Sequence, residues 1–433
     1  MPSTHVPGVQ VWRTACLRLA VPAIIGTATG ACVAAATALV EGEALGRLAA
    51  LPGLLPVACT PLALLATLGV AVWVTRAARP STAELYIATY HDPSARIPLR
   101  QLPGRVLAAA TTVGFGGAQG LESPSALIGA GFGDALGRGR WGLKDEETRT
   151  LMVAGASAGI SAVFSSPALG TFYGMEVPYR RDVDARPFVP CAVAAAASYV
   201  ARRELIGIRH LVEPGGMTHP VDLTFVAGIA AVAVACGFGA RVFAHVDAWL
   251  QHRALRRSRL ERAARAGLVL AALTWMGHAL TREWVTFGPG YLAADWLFAG
   301  THPVWLMAAV LVVRAAATLT CVYGGGGGGV FTALACCGAF IGQLVATLIG
   351  HRSMRAFPLV GAACFLGAGY RLPIGTAMMV AESSGDLAVA AAGLVAVAIA
   401  QVFMGEESVS EAKADTRAVH RAAAGGARSE PGG

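Results

Sequence analysis

The sequence predicts an all-α polytopic membrane protein, an inverted repeat with broken and re-entrant helices. Three observations carry this. Of 433 residues, 55% are hydrophobic and only 14% charged, with a mean hydropathy of +0.57, far too apolar for a soluble chain of this size. Apolar runs near twenty residues recur throughout, the length that crosses a hydrocarbon core of ~30 Å. Short apolar segments interrupted by glycine and proline also recur at matched spacing in the two halves. That pattern points to a transport protein whose site lies at mid-membrane between repeats.

Taken in order, residues 1–14 form a cytoplasmic N-terminal segment. Arg13 and Arg18 precede a 22-residue apolar run, Leu19 to Val40, longer than a signal-peptide core and so read as a retained first span. An acidic turn (Glu41, Glu43) separates it from a second span, Leu54 to Val74, followed by Arg76 and Arg79. Counting positive charges puts both chain termini and the Arg76/Arg79 loop in the cytoplasm and the Glu41/Glu43 turn outside, in a multi-pass protein of the cell membrane. Pro80 to Leu102 is too polar to span. Val106–Ala118 leads into a glycine-rich turn, and the helix from Pro124 to about Leu136 is too short to cross. A helical pair, Leu151–Phe164 and Pro167–Val177, is broken at Ser165-Ser166-Pro167, and Pro187–Val200 follows. Beyond Pro214-Gly-Gly216 come a long helix from Val221 to about Leu250 and the densest basic run of the chain, Arg253 to Arg265, read as cytoplasmic. The second half has spans at Ala266–Leu280, Val304–Val322, Val330–Ile349, Phe357–Gly369, Pro373–Ala381 and Ala388–Met404. The membrane part is therefore 15–405, with halves near 15–205 and 221–405. Residues 406–433 are a polar cytoplasmic tail, too short for a further domain.

The halves match at fixed offsets. Gly129-Ala130 and Gly133 correspond to Gly338-Ala339 and Gly342, which sets Glu122 opposite Phe331. Slightly further along, Gly155-Ala156, Pro167 and Glu176 correspond to Gly361-Ala362, Pro373 and Glu382, with one Pro-to-Glu spacing in both copies.

Charge and composition exclude other classes. The net charge of +8 is spread over loops, which suits anionic lipid headgroups and does not form the basic, aromatic-interleaved surface of a nucleic-acid binder. Only Lys144 and Lys413 are lysines, a bias that carries no function by itself. The cysteines sit mostly in apolar segments, without metal-ligand spacing, and the histidines are scattered; neither metal nor cofactor is expected. Arg314 and Arg371 lie in apolar surroundings and are read as structural.

The chemistry concentrates in Gly116 to Gly133. Glu122 stands between a glycine-rich turn and Pro124, which suits a first helical turn. Unpaired N–H groups and the positive end of the dipole make such a helix start an anion site. An ionisable residue at membrane depth is a functional hypothesis, with a helix cap as the plain alternative. The run Gly324–Gly329 lacks the strand and Lys-Ser/Thr of a phosphate loop. It reads as a flexible backbone segment that lets the Val330 and Phe331 amides face an anion, or, for its first three glycines, as tight helix contact.

These residues carry a family resemblance over roughly 15–405. Gly120-Leu-Glu-Ser-Pro124 is similar to the G-K/R-E-G-P motif of the CLC chloride channels and chloride/proton exchangers. Gly328-Gly-Val-Phe-Thr-Ala333 with Gly338-Ala339 resembles G-G-x-F-x-P then G-A, and Ala154-Gly-Ala to Ser166-Pro-Ala-Leu-Gly170 resembles A-G-A-A-A-G to N-A-P-L-A-G. The chain looks like a divergent member of prokaryotic type. The resemblance implies a homodimer with one pore per subunit, and Glu122 as a gating glutamate whose carboxylate occupies an anion site. Gly120, Leu121, Ser123, Val330, Phe331 and Ser81 are the positions it implies for the anion. Departures accompany it. The motif serine that contacts the central anion falls on Pro80, with Ser81 next. The tyrosine closing the inner pore falls near Val409, Ala333 replaces a proline, and the internal proton-relay glutamate aligns with Val177. The expectation is passive, channel-like chloride conduction gated by Glu122, with a proton-coupled chloride or fluoride antiporter as the alternative. An intramembrane enzyme using Ser123 or Ser125 would need a base at depth, and the nearest histidine, His91, lies in a polar stretch; no enzyme is expected.

Overall fold

A computed structural model describes residues 15–75, 83–92, 95–140, 143–213, 222–350, 355–410 and 412–416. Among these the α-helices, in chain order, are α1 (Val21–Thr37), α2 (Leu45–Ala49), α3 (Leu55–Val70), α4 (Ala83–His91), α5 (Leu102–Gly114), α6 (Glu122–Ala135), α7 (Asp145–Phe164), α8 (Pro167–Glu176) and α9 (Phe188–Ile206). The second half holds α10 (Leu223–Ala254), α11 (Arg259–Thr281), α12 (Tyr291–Phe298), α13 (Val304–Gly324), α14 (Phe331–Ile349), α15 (Ala356–Tyr370), α16 (Pro373–Ser384) and α17 (Leu387–Met404). Seven helices are long and apolar enough to cross a membrane. By contrast α6, α8 and α16 have 14, 10 and 12 residues. At ~1.5 Å rise per residue they fall short of the ~30 Å hydrocarbon core.

Small residues set how these helices meet. A methyl group on Gly26 or Gly30 of α1 would land on the Ala194 or Ser198 carbonyl of α9. The same device recurs at repeat-related positions. Gly129 of α6 crosses Gly155 of α7 backbone to backbone, and Gly338 of α14 crosses Gly361 of α15. Gly133 lies on the Leu151 carbonyl, as Gly342 lies on that of Phe357. Lipid tails are as apolar as the helix faces, so close approach of small residues supplies the packing here.

The predicted break at Ser165-Ser166-Pro167 is sharp. Ser165 is left-handed (φ 54°), Ser166 caps α8 by accepting from the Leu169 N–H at 3.2 Å, and Pro167 opens the helix. Its repeat partner breaks the same way, with Arg371 left-handed (φ 52°) two residues before Pro373. Each unfavourable backbone conformation is held from outside. Arg202 donates to Ser165 Oγ at 2.8 Å, while Arg371 donates to the carbonyls of Arg180 (2.8 Å) and Gly405 (2.5 Å).

The matched glutamates close the two breaks against each other. Glu176 at the end of α8 accepts from the Ile374 and Gly375 N–H groups at 2.9 and 2.8 Å, at the start of α16. Glu382 near the end of α16 accepts from Ala168 N–H at 2.8 Å and from Ser166 Oγ, at the start of α8. Each carboxylate fills the anion site at the other helix's N-terminus. Arg314 is fully buried and donates to the carbonyls of Thr286 and Gly288, both at 2.5 Å, a structural role as expected.

Two sequence expectations change. The chain does not turn at Glu41. The first helix runs through wider π-type turns (Ala38–Ala44) into α2, a 32-residue stretch from Arg18 to Ala49. The polar segment after Gly405 returns to the body as far as it is described. Val409 N–H donates to the Gly369 carbonyl at 2.9 Å, Ala414 N–H to that of Pro178 at 3.2 Å, and Arg180 N–H to that of Ala414 at 2.8 Å.

Candidate functional site

Two helix starts are held face to face. Gly120, just before α6, and Gly329, just before α14, exchange backbone hydrogen bonds of 2.9 and 2.8 Å. Around this bridge the loop is packed. Gly327 N–H donates to Thr112 Oγ1 at 3.0 Å, Gly328 N–H to Gln119 Oε1 at 3.2 Å, and Ala118 N–H to Cys321 Sγ at 3.2 Å. Methyl groups on Gly326, Gly327 or Gly328 would collide with Gln119, the Ala108–Ala109 backbone and the Gly120 carbonyl respectively. Gly326–Gly329 are therefore a tight crossing rather than a flexible segment, whereas Gly325 is left-handed (φ 87°) and faces only the end of the Arg262 side chain. The crossing is glycine because neighbouring chain fills the space.

Glu122, the first residue of α6, is completely buried. Its carboxylate reaches across to α14, where Thr332 N–H donates to Oε1 at 3.0 Å. Among the described residues Oε2 has no hydrogen-bond partner. The carboxylate lies where side chains on Gly120 or Gly329 would be; a methyl group on Gly329 would stand 2.5 Å from Oε2. The first N–H groups of a helix have no partner within it. The start of α14 thus holds the protein's own carboxylate.

The other predicted positions arrange around this point. Leu121 packs with Val40, Ala109 and Val113 and anchors the turn, its carbonyl accepting from Ser125 N–H (2.9 Å) and Oγ (2.6 Å). Ser123 is nearly buried beside Gly329, and Val330 and Phe331 open α14. The Gly120 N–H is taken by the Gly329 carbonyl, so what Gly120 brings to this point is the absent side chain. Ser81 lies outside the described residues. Val177 is fully buried at the end of α8, its N–H bonded to the Tyr173 carbonyl at 2.8 Å. Val409 packs near Gly369, against the same core cluster that holds Phe331.

The structure adds residues that motif reasoning missed. The Phe331 ring stacks on Tyr370 (centroids 3.8 Å, 15° between planes) and meets the edge of Tyr173 at 5.7 Å, and Tyr173 lies 6.3 Å from Tyr86. An aromatic column therefore leads away from the start of α14. On its Tyr370 side Lys413, almost fully buried, donates its ammonium to the Tyr370 carbonyl and lies within electrostatic range of Glu176. Its only advance signal was that the chain has two lysines among 34 basic residues.

Comparison with known proteins gives the same picture. The family model described as voltage gated chloride channel matches residues 62–405. The chain is 30% identical over 195 residues to a chloride/fluoride channel protein of Pseudomonas syringae pv. tomato, a match spanning 44% of this chain and 42% of that relative. It is 26% identical over 326 residues to the ClcB-like chloride channel protein of Ralstonia nicotianae, spanning 72% of each. Two solved structures share the fold at TM-score 0.78 and 18% identity: a slow cyanobacterial Cl−/H+ antiporter, with 91% of this chain and 96% of that one covered, and a CLC-type fluoride/proton antiporter, with 91% and 98%. With the family model spanning most of the membrane part and the two helix starts meeting at Glu122, the chain belongs to the CLC family of voltage-gated chloride channels.

Proposed function

We propose that this CLC protein carries chloride passively through the membrane, with Glu122 as its gate. One observation carries the reading: a fully buried carboxylate, one oxygen bonded to Thr332 N–H and the other unpartnered, occupies the N-terminus of α14. A small anion and a carboxylate compete for the same N–H groups, so the ionised glutamate closes the path and its protonation vacates the site. The anion then meets the Val330 and Phe331 amides, with Leu121 and Ser123 across from them and Gly120 keeping the wall open; the family resemblance adds Ser81 as an anion contact and Val409 as an inner-pore position. Halves near 15–205 and 221–405 and cytoplasmic termini complete the assignment.

Passive transport follows from Val177, a hydrocarbon side chain that cannot bind a proton. The neighbouring Glu176 is committed to two N–H groups of α16. The second reading is a proton-coupled chloride or fluoride antiporter, favoured by Lys413 and Glu176 standing together as buried titratable groups. Purified protein in liposomes, followed for chloride efflux and pH at once, separates the two. Efflux without net proton movement is expected. A chloride gradient that drives protons uphill overturns the passive reading in favour of the second.

We also propose a homodimer, as the resemblance to the CLC family implies, with small-residue helices of both halves packing subunit to subunit. A mass of twice the subunit's in detergent is the expected result; full transport by a monomer contradicts it.

A further inference from the structure

Away from the Glu122 site, one cavity has charged walls. It measures about 90 Å³ and is bounded by Glu41, Leu45, Arg209, Phe287, Pro289 and Tyr291. That is well above the roughly 10–15 Å³ needed to hold one water, so a small anion fits with company. Arg209 is half exposed and spread over the Tyr291 ring at 4.7 Å, and it pairs with Asp295 at 2.7 Å on its outer side. Tyr291 is fixed in turn, its hydroxyl donating to the Val163 carbonyl at 3.5 Å. The opposite wall carries Glu41, inside the π-wound stretch Ala38–Ala44, a geometry that recurs at functional positions.

The cavity and the gate are neighbours. Val40, adjacent to Glu41, packs in one cluster with Leu121, adjacent to Glu122, and the two carboxylates lie within electrostatic range of each other. Glu41 also lies in the field of Arg209 and of Arg202, whose guanidinium is engaged with Ser165 Oγ (2.8 Å) and the Gly207 carbonyl (2.9 Å). By the topology proposed above, this is the extracellular mouth.

We infer that this cavity is a recruiting site for the external anion, a small halide, with the Arg209 guanidinium as its cation and the Glu41 carboxylate as the group that competes for that cation. The inference rests on the transport reading above. With Glu41 ionised the two wall charges cancel, and an arriving halide sees little net attraction. When Glu41 is neutral, the guanidinium, still paired with Asp295 at 2.7 Å, holds a halide one step outside Glu122. Bound there, the halide is at high local concentration when the gate opens. The site therefore governs how much external anion is needed, while Glu122 governs whether any passes.

The test is the initial rate of chloride uptake into right-side-out membrane vesicles as external chloride is raised. Removing one partly screened unit charge at this range changes the half-saturating concentration about fivefold. Arg209→Gln should raise it by that factor and Arg209→Lys should largely restore it. Glu41→Gln should lower it by about the same factor. Efflux from the same vesicles should keep its internal half-saturation in all three variants, a control that damage to the fold would not pass. Unchanged external half-saturation in Arg209→Gln, or a rise in Glu41→Gln, overturns the inference. If instead flux ignores Glu122→Gln, the gating reading fails, and that outcome is separate from either of these.

Discussion

Gly129→Ala and Gly338→Ala should each lower the thermal midpoint of the purified protein sharply, whereas Gly46→Ala should not. In both crossings the added methyl group lands on the carbonyl oxygen of the facing glycine, Gly155 or Gly361, which is backbone and cannot rotate away. The helices must separate, and overpacking of this kind costs about 1–3 kcal/mol, occasionally more. The separation also moves the start of each helix, and those starts carry Glu122 and Thr332. Loss of transport should accompany loss of stability. At Gly46 a methyl group meets nothing within 4 Å. There, alanine should be neutral or stabilise by about 0.5–1 kcal/mol through the helix backbone alone. Midpoints followed by loss of the monodisperse peak on size exclusion check all three. Equal midpoints for Gly129→Ala and Gly46→Ala would show that the crossing is looser than described.

Much of this arrangement was legible before any coordinates, because the repeat leaves local marks. Proline at a helix start, glycine at a crossing and one Pro-to-Glu interval in each half are patterns within a few turns of chain. They correctly placed both breaks and the paired starts of α6 and α14. Sequence spacing also set Glu122 opposite Phe331, one residue from the Thr332 amide that it touches. The misses have a common physical cause: each depends on contacts between residues far apart in the chain. Glu122 was read at the start of its own helix, since nothing in a linear motif says that the Thr332 amide of α14 reaches its carboxylate. The reciprocal caps of Glu176 and Glu382 span 198 to 216 residues, although the glutamates themselves had been matched. Polarity hid Lys413, because a polar segment reads as solvated unless a partner such as the Tyr370 carbonyl is known. Glu41 was hidden in the same way: an acidic pair suggests a turn, and only the packing of Val40 against Leu121 shows that the helix runs on.

Gating by Glu122 requires that its carboxylate and the transported anion compete for one place. A hydrogen bond to a charged group contributes about 1.5–3 kcal/mol, so removing the charge should free the α14 start about ten- to a hundredfold more often. In wild-type liposomes chloride flux should rise as external pH falls, because protonation takes the carboxylate off Thr332. Glu122→Ala should leave the path open with no blocking group. In Glu122→Gln the neutral amide imitates the protonated acid, and flux should be high already at neutral pH. If Glu122 merely capped a helix, either change would cost on the order of 1 kcal/mol of stability and leave the pH profile as it was. The most direct measurement is chloride flux against external pH in Glu122→Gln beside the wild type. A high, nearly flat profile is what the account predicts; acid activation retained at its full wild-type size in that variant would contradict it.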